Sequence, residues 1–211
     1  MNLPSKDECF ELLKEWHVPN HVMKHILKVN KVAVFLGEKF KEKGYNVNID
    51  LLDRASLLHD ILRVCNFKKI DPENFEQEIT EEDMKIWEKV INEYGDIHHA
   101  KAGYKLLKKD YPEVANLVKK HNYKIILDKN NCPKTLNEKI MFYSDKRVMH
   151  DQVVMLKDRA DDGHKRNPHL HDSNETEKAD ILIRKLEEEL FSKLDIDPKN
   201  LLKLNDDDDT N

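Results

Sequence analysis

The sequence predicts an all-α protein, a helical bundle, on three observations. Leu, Ile, Val and Phe recur at spacings of three and four residues along most of the chain, as in helices with one buried face. The 211 residues include only 5 Gly and 7 Pro, too few for a β-protein rich in turns. Charged residues make up 36% of the chain, against about 25% in an average protein, which is typical of helices with solvated outer faces.

Four helices are predicted in the N-terminal half, a short one before position 17, then 20–44, 51–62 and 81–94. Ser5 begins a capping box for the first helix, within an N-terminal segment, 1–17, that we expect to pack on the main domain. Pro19 opens the second helix and Gly44 ends it. Thr80 provides the cap of the fourth helix.

The C-terminal half is predicted to hold helices over 98–109, 112–121, 135–145 with a continuation or bend towards 159, and 175–194. Pro112 suits the first turn of one helix, and Thr135 begins a capping box for another. The segment YKIIL, 123–127, is the one plausible strand. We expect a polar connector over 161–174 and a disordered acidic tail over 205–211, which should be dispensable for folding.

Composition excludes several classes of protein. The net charge is −5, so no overall basic field favours non-specific nucleic-acid binding. The longest apolar run, 32–36, is far shorter than the roughly 20 residues of a membrane helix, and no secretory signal begins the chain. Three widely spaced cysteines, Cys9, Cys65 and Cys132, suit free thiols in a reducing compartment. We therefore expect a cytoplasmic protein without membrane contact.

An acid beside a histidine lies in the third predicted helix, which we expect Asp50 to cap. His59 and Asp60 follow a run of apolar residues, and burying a carboxylate without a counter-charge costs several kcal/mol. A divalent metal would neutralise the acid and accept the imidazole. A salt bridge from Arg54 or Arg63, with the histidine hydrogen-bonded in the core, is an equal alternative at this point.

Three further helices carry histidines near their apolar faces. His25 lies beside the apolar stripe of the second helix, with His21 one turn earlier as a competing candidate. His99 shares a face with small residues that permit close packing, whereas His98 points about a quarter-turn away. His121 ends its helix, where the helix dipole alone favours it. Taken singly, each is well explained by an ordinary structural role.

The order of these residues along the chain is more informative than any one of them. Asp145 follows the apolar run IMFY and completes an ordered pattern H…HD…H…H…D. The set comprises His25, His59, Asp60, His99, His121 and Asp145. With the segments HILKVNKVAVFLGEKF, RASLLHDILR, HAKAGYKLL, VKKHN and LNEKIMFYSDKRV, this pattern resembles the HD-domain superfamily of metal-dependent phosphohydrolases, in particular its small single-domain bacterial type. The resemblance covers about residues 18–160.

The resemblance implies an all-α fold with a metal site between helices. The mononuclear ligand set of the superfamily corresponds to His25, His59, Asp60 and Asp145. Histidines in the third and fourth motifs, here His99 and His121, imply a second metal with Asp60 as the bridge, and we favour this dinuclear interpretation. Mixed histidine and carboxylate ligands suit one or two ions of Fe, Mn, Co, Ni or Zn.

Several cations are candidate phosphate contacts. Many members of the superfamily follow HD with Ile-Gly-Lys, and Arg63 could replace that lysine as a bidentate contact. The predicted catalytic residues are Asp60, Arg63, Lys146 and Arg147, and the predicted substrate contacts are Arg63, Lys68 and Arg147, with Lys69 beside them. Any one of these cations, taken alone, is better explained as a solvated surface charge.

The resemblance implies hydrolysis of a phosphate ester or anhydride in a nucleotide or another small phosphorylated metabolite. Such chemistry needs an activated water and neutralised charge, both of which a metal supplies. A small bacterial branch with this six-residue pattern hydrolyses diadenosine tetraphosphate symmetrically. Two alternatives are a phosphodiesterase acting on a cyclic or oligonucleotide substrate and a non-catalytic binding module with a coordinatively closed metal. No G-Y-P motif follows the HD segment, which argues against a cyclic-di-GMP phosphodiesterase.

Overall fold

The computed structural model describes residues 2–70, 75, 77–166 and 174–210, with side chains through residue 206. The α-helices in these ranges are α1 (Lys6–Glu15), α2 (Asn20–Glu42), α3 (Ile49–Leu58), α4 (Glu81–Tyr94), α5 (His99–Leu107), α6 (Pro112–Lys119), α7 (Leu136–Lys146), α8 (Leu156–Arg166) and α9 (Asn174–Phe191). Three 3-10 helices in these ranges cover Arg63–Asn66, Tyr123–Leu127 and Pro198–Thr210. The predicted all-α fold is confirmed. Within these ranges, no helix combines the length and the apolar character needed to cross a membrane.

The long helix α2 forms the axis of the core. Its 23 residues span about 35 Å, and it packs along α3 and α7, while α6 contacts both α3 and α5. Ile26, Val29 and Leu36 of α2 are fully buried, so the predicted apolar stripe faces inward. At Gly103 of α5 an added Cβ would lie 2.9 Å from Cγ1 of Val118, so the missing side chain permits the close approach of α5 and α6.

The predicted helix starts are explained by local hydrogen bonds. Ser5, Thr80 and Thr135 each accept a hydrogen bond from a backbone N–H three residues later, and each forms a capping box. Pro112 occupies the first turn of α6. Gly44 follows α2 with φ of 81°, a left-handed conformation that glycine adopts without strain.

The third helix differs from its prediction at both ends. Asn48 caps α3 instead of Asp50, because its side chain accepts a hydrogen bond from the Leu51 N–H at 3.0 Å. The helix ends just before His59, and Asp60 lies in the turn that leads to the first 3-10 helix. This break places the His–Asp pair at a helix end, where side chains of several other elements reach it.

Two segments adopt conformations that were not predicted. Residues 123–127, predicted as a strand, form a 3-10 helix that packs on α9. The one sheet in the described part of the chain is an antiparallel hairpin of β1 (Val148–Met149) and β2 (Gln152–Val153). This hairpin, with His150 at φ of 56° in its turn, separates α7 from α8 at the place where a continuation or a bend of the helix towards 159 was expected.

Segments near both ends of the chain pack on the bundle. Cys9 and Leu13 of α1 are fully buried, and α1 packs on α3. Residues 161–166, predicted as part of a polar connector, continue α8, and the stretch 167–173 lies outside the described residues. Asn205, the first residue of the predicted disordered tail, donates to the Val153 carbonyl and accepts from its N–H, at 2.9 and 2.8 Å. This residue is therefore held on β2.

Candidate metal centre

Six side chains from five parts of the chain converge near the N-terminal end of α2. They are His25 of α2, His59 and Asp60 after α3, His99 at the start of α5, His121 after α6 and Asp145 of α7. All except His25 are exposed by 9% or less. The structure thus brings together every metal ligand that the sequence pattern predicted.

One cluster of ligand atoms joins α2, α7 and the turn after α3. Nε2 of His25 lies 3.2 Å from Oδ1 of Asp145, and Nε2 of His59 lies 3.7 Å from the same oxygen. Nε2 of His59 is also 3.8 Å from Oδ2 of Asp60. Ligand atoms of His25, His59 and Asp60 all lie within 4.8 Å of one another, so one ion could contact all three.

A second cluster forms on the other side of Asp60. Nε2 of His99 and Nε2 of His121 lie 3.2 and 3.3 Å from Oδ1 of Asp60. Ligand atoms of these three residues also lie within 4.8 Å of one another. Asp60 therefore belongs to both clusters and turns a different oxygen towards each, which is the arrangement expected of a bridging carboxylate.

Hydrogen bonds on the far side of the imidazoles determine which ring nitrogen carries the hydrogen. Nδ1 of His59 and Nδ1 of His121 each donate to the carbonyl three residues earlier, at 2.7 and 2.6 Å. Nδ1 of His25 donates to the His150 carbonyl at 2.8 Å. A neutral imidazole that donates through Nδ1 has its lone pair on Nε2, so these rings direct lone pairs at the carboxylates, as metal ligands do.

Asn66 holds the fourth imidazole in the same way. Its Oδ1 accepts hydrogen bonds from Nδ1 of His99 at 2.9 Å and from the His99 backbone N–H at 2.7 Å. Its Nδ2 donates to the Ile97 carbonyl at 2.8 Å, which fixes the amide orientation. The sequence prediction missed Asn66, because an asparagine after a helix is ordinary in a turn.

Three buried atoms at the centre have no hydrogen-bond partner among the described residues. They are Nε2 of His59, Nε2 of His121 and Oδ1 of Asp60. Because each unsatisfied buried polar atom costs about 1–3 kcal/mol, three in one place require an explanation. A divalent cation would satisfy all three, and imidazole nitrogen with carboxylate oxygen is a donor set that Fe, Mn, Co, Ni and Zn accept. The residues present therefore fit a metal.

The electrostatics of the centre favour the protonation states that metal binding requires. Burial lowers the pKa of His59 to about 4, and burial also holds the pKa of His99 well below its ordinary value. Burial opposes ionisation of Asp60, but His59 and His99 outweigh it and hold the pKa of that carboxyl well below its usual range. Asp145 is likewise buried, and the adjacent Lys146 keeps its pKa well below the usual range. Neutral imidazoles and ionised carboxylates are ready to bind a cation.

The structure separates the ligands from two competing histidines. His21 stacks on Phe67, with ring centroids 5.8 Å apart, and meets Phe75 edge-on at 5.2 Å, so it belongs to an aromatic cluster. Nδ1 of His98 accepts a hydrogen bond from the Ala100 N–H at 3.1 Å as the cap of α5. The α5 residue that reaches the carboxylates is the histidine that follows His98.

Two of the predicted cations lie at the centre. Lys146 is only 7% exposed, and its Nζ contacts the Asp145 carboxylate and donates to the His121 carbonyl at 2.7 Å. Nε of Arg63 lies 3.8 Å from Oδ2 of Asp60. Both cations line a cavity of about 370 Å³ that opens beside the carboxylates.

Two of the predicted substrate contacts lie elsewhere. Arg147 is fully buried, and its guanidinium donates to the Tyr143 hydroxyl at 2.6 Å and lies 3.2 Å from the Glu187 carboxylate. It therefore joins α7 to α9 within the core, which corrects the expected catalytic role. Lys68 and Lys69 are exposed, and neither is among the described residues of the cavity wall. Consecutive helical residues point about 100° apart, so Lys146 and Arg147 face different surroundings. The sequence does not show which of the two faces the cavity.

The fold and the centre define a class of protein, an all-α domain that presents a His–Asp metal site between its helices. The family model of the HD domain matches residues 22–161, well over half of the chain. The chain belongs to the HD domain family, as its ligand order predicted. HD domains bind divalent metals, and membership indicates a function of the metal-dependent phosphohydrolase type.

One curated relative is a protein of Picrophilus torridus named tRNA (cytidine(56)-2'-O)-methyltransferase. It is 26% identical over 202 residues, which cover 90% of this chain and 47% of the relative. The chain therefore spans about half the length of that relative. No solved structure matches the chain.

Proposed function

We propose that this protein is a metal-dependent phosphohydrolase that cleaves a phosphate ester or anhydride in a nucleotide or another small phosphorylated metabolite. One observation carries the proposal: four imidazole lone pairs converge on two carboxylates, and Arg63 and Lys146, which contact those carboxylates, line the adjoining cavity. Membership of the HD family supports the reaction class. The phosphorylated metabolite is the proposed binding partner.

The residues of the centre divide into metal ligands and phosphate contacts. His25, His59, Asp60 and Asp145 would hold one ion, and Asp60, His99 and His121 a second. When bound, a divalent metal supplies an acidified water and a charge that polarises a phosphoryl oxygen. Arg63, whose side chain is 35% exposed, can donate two hydrogen bonds to one phosphate. Lys146, whose Nζ contacts the Asp145 carboxylate, would add a third donor and balance the charge of that carboxylate.

A phosphodiesterase that acts on an oligonucleotide is a second candidate. The relative from Picrophilus torridus carries the name of a tRNA-modifying enzyme, and an RNA strand offers phosphodiester bonds. A non-catalytic module is less well supported, because a structural metal has a closed coordination shell and this centre adjoins a cavity.

A hydrolase screen combined with elemental analysis tests the proposal. Substrates would include nucleoside mono-, di- and triphosphates, dinucleoside polyphosphates, cyclic nucleotides and short RNA, with release of phosphate or nucleotide as the readout. Asp60→Ala should lose bound metal and hydrolysis while its circular dichroism stays helical. Asp50→Ala, an exposed acid on α3, is the matched control and should keep both.

The outcomes separate the candidates. Full metal content in Asp60→Ala would place the metal elsewhere and refute the assigned centre. A wild-type protein that holds metal but cleaves none of these substrates would favour the non-catalytic module. Cleavage of RNA alone would favour the phosphodiesterase.

A further inference from the structure

Many of the side chains that line the cavity beside the metal centre are cations. The described lining of the cavity includes seven lysine and arginine side chains and a single carboxylate, that of Asp180. Arg63 and Lys146 lie at the end next to the metal ligands. The other five are Lys124, Lys157, Arg159, Arg166 and Arg184, here called the distal cations. A chain with a net charge of −5 thus concentrates positive charge in one concave place.

Two of the distal cations are not neutralised. Lys157 and Arg184 are exposed and form no ion pair within the described part of the chain. Arg159 is partly buried, with a side chain 28% exposed, and its Nε donates to the Val148 carbonyl at 2.9 Å, which holds the guanidinium in place. Burial lowers the pKa of Arg159; the Asp145 carboxylate opposes this shift, and Arg166 adds to it.

The single acid of the wall is already occupied. Asp180 accepts a hydrogen bond from the Tyr123 hydroxyl at 2.5 Å, and its other oxygen lies 3.2 Å from Nε2 of His164. Lys124 pairs with Glu175, and Arg159 and Arg166 pair with Asp162, outside the wall. The charges that remain uncompensated among the described residues are those of Lys157 and Arg184. An anion supplied from outside would compensate them.

Most of the distal wall lies beyond the part of the chain that matches the HD family. The match ends at residue 161, whereas the cavity is completed by residues near the end of α8 and on α9. These are Gly163, His164, Arg166, Thr176, Asp180, Ile183 and Arg184. Of the distal cations, Arg166 and Arg184 lie beyond the match, whereas Lys124, Lys157 and Arg159 lie within it.

We propose that the distal cations form a second anion subsite, which binds further phosphate groups of the substrate while the metal centre holds the phosphate that is cleaved. This inference rests on the proposed function and names its substrate class, an oligophosphate with three or more phosphate groups in series. A single orthophosphate at the metal centre would leave Lys157 and Arg184 without a partner.

Charge density favours an oligophosphate over a nucleic acid strand. A cavity of about 370 Å³ that holds two cations unpaired among the described residues, with Arg63 and Lys146 at its inner end, suits several negative charges in a small volume. An anhydride-linked chain places charge on consecutive phosphorus atoms. An RNA strand carries one charge per nucleotide and would have to fit a base and a ribose for each charge.

Isothermal titration calorimetry on the metal-loaded protein tests this subsite. The probes are imidotriphosphate, whose P–N–P links resist hydrolysis, then orthophosphate and a 5′-phosphorylated hexaribonucleotide. The variants are Arg184→Gln and Lys157→Gln. Lys185→Gln is the matched control, because Lys185 is the next residue of α9, is exposed and lines a different cavity.

Each variant should weaken imidotriphosphate binding about fivefold, as expected for the loss of one solvent-screened ion pair. Orthophosphate binding, and imidotriphosphate binding to the Lys185→Gln control, should not change. Equal imidotriphosphate affinity in wild type and both variants would refute the subsite. A hexaribonucleotide that binds more tightly than imidotriphosphate, and weakens in the same variants, would overturn the oligophosphate assignment.

These outcomes can be distinguished from failure of the proposed function. Binding is measured without turnover, so the subsite can hold in a protein that hydrolyses nothing in the substrate screen. Conversely, hydrolysis lost in Asp60→Ala together with unchanged imidotriphosphate affinity in the variants would leave the phosphohydrolase standing and remove the subsite.

Discussion

Replacing His99 with alanine should remove one metal ion per chain and leave the other. Nε2 of His99 lies 3.2 Å from Oδ1 of Asp60, in the cluster that also contains His121. The other cluster, formed around His25 and His59, makes no use of His99. Wild-type protein purified without chelator should therefore approach two metals per chain, and His99→Ala should retain about one.

The size of the effect follows from the ligand count. Without His99, the second cluster keeps one carboxylate and one imidazole in place of three protein ligands. Loss of a residue that merely orients a ligand costs about 10–100-fold in metal affinity, so loss of a ligand should cost at least 100-fold. At a metal concentration about 100 times the original Kd, a 100-fold weakening removes about 2.3 kcal/mol of metal-linked stability. The melting temperature in added metal should fall accordingly.

Elemental mass spectrometry on gel-filtered protein measures the stoichiometry. His98→Ala is the matched control. The His98 and His99 ring centroids lie only 3.9 Å apart, but His98 caps α5 and is not a predicted ligand. It should keep two metals and lose about 1 kcal/mol of folding stability with the cap. One metal in wild type, unchanged in both His99→Ala and His121→Ala, would refute the second site and leave the four-ligand assignment standing. Equal metal loss in His98→Ala would refute the choice of His99.

Three further predictions concern residues outside the ligand set. Asn66→Ala should weaken the metal bound next to His99 by about 10–100-fold, because the imidazole loses the acceptor that orients it; competition with a chelator measures this, and an unchanged affinity would contradict it. Arg147→Met should lower the free energy of unfolding by about 3 kcal/mol in urea, because Glu187 loses its buried cation, and metal content should not change; a fall in hydrolysis without loss of stability would instead restore its catalytic role. Asn205→Ala should lower the free energy of unfolding by about 1–2 kcal/mol, since two backbone groups of β2 lose their partner. Truncation after Asp206, which keeps Asn205, should not shift the melting temperature.

The sequence by itself determined two kinds of feature. One depends on residues that are close together in the chain, and the other on the order of residues along it. Ser5, Thr80 and Thr135 begin helices through hydrogen bonds that span three residues, so their patterns could be recognised without the fold. The period of the apolar residues predicted which face of α2 is buried. The order of the histidines and aspartates predicted the family and the six residues that converge.

Only the tertiary structure decided the features whose partners are distant in the chain. His25 and Asp145 meet across 120 residues, and the carbonyl that orients the His25 imidazole is that of His150, 125 residues away in the chain. The same packing buries Arg147 against Glu187 and leaves Lys146 at the cavity. The sequence shows only two adjacent cations and could not distinguish these two positions. The cation wall likewise depends on the fold, because its residues come largely from α8 and α9. Charges that are scattered through a sequence act together only where the fold brings them close and excludes water.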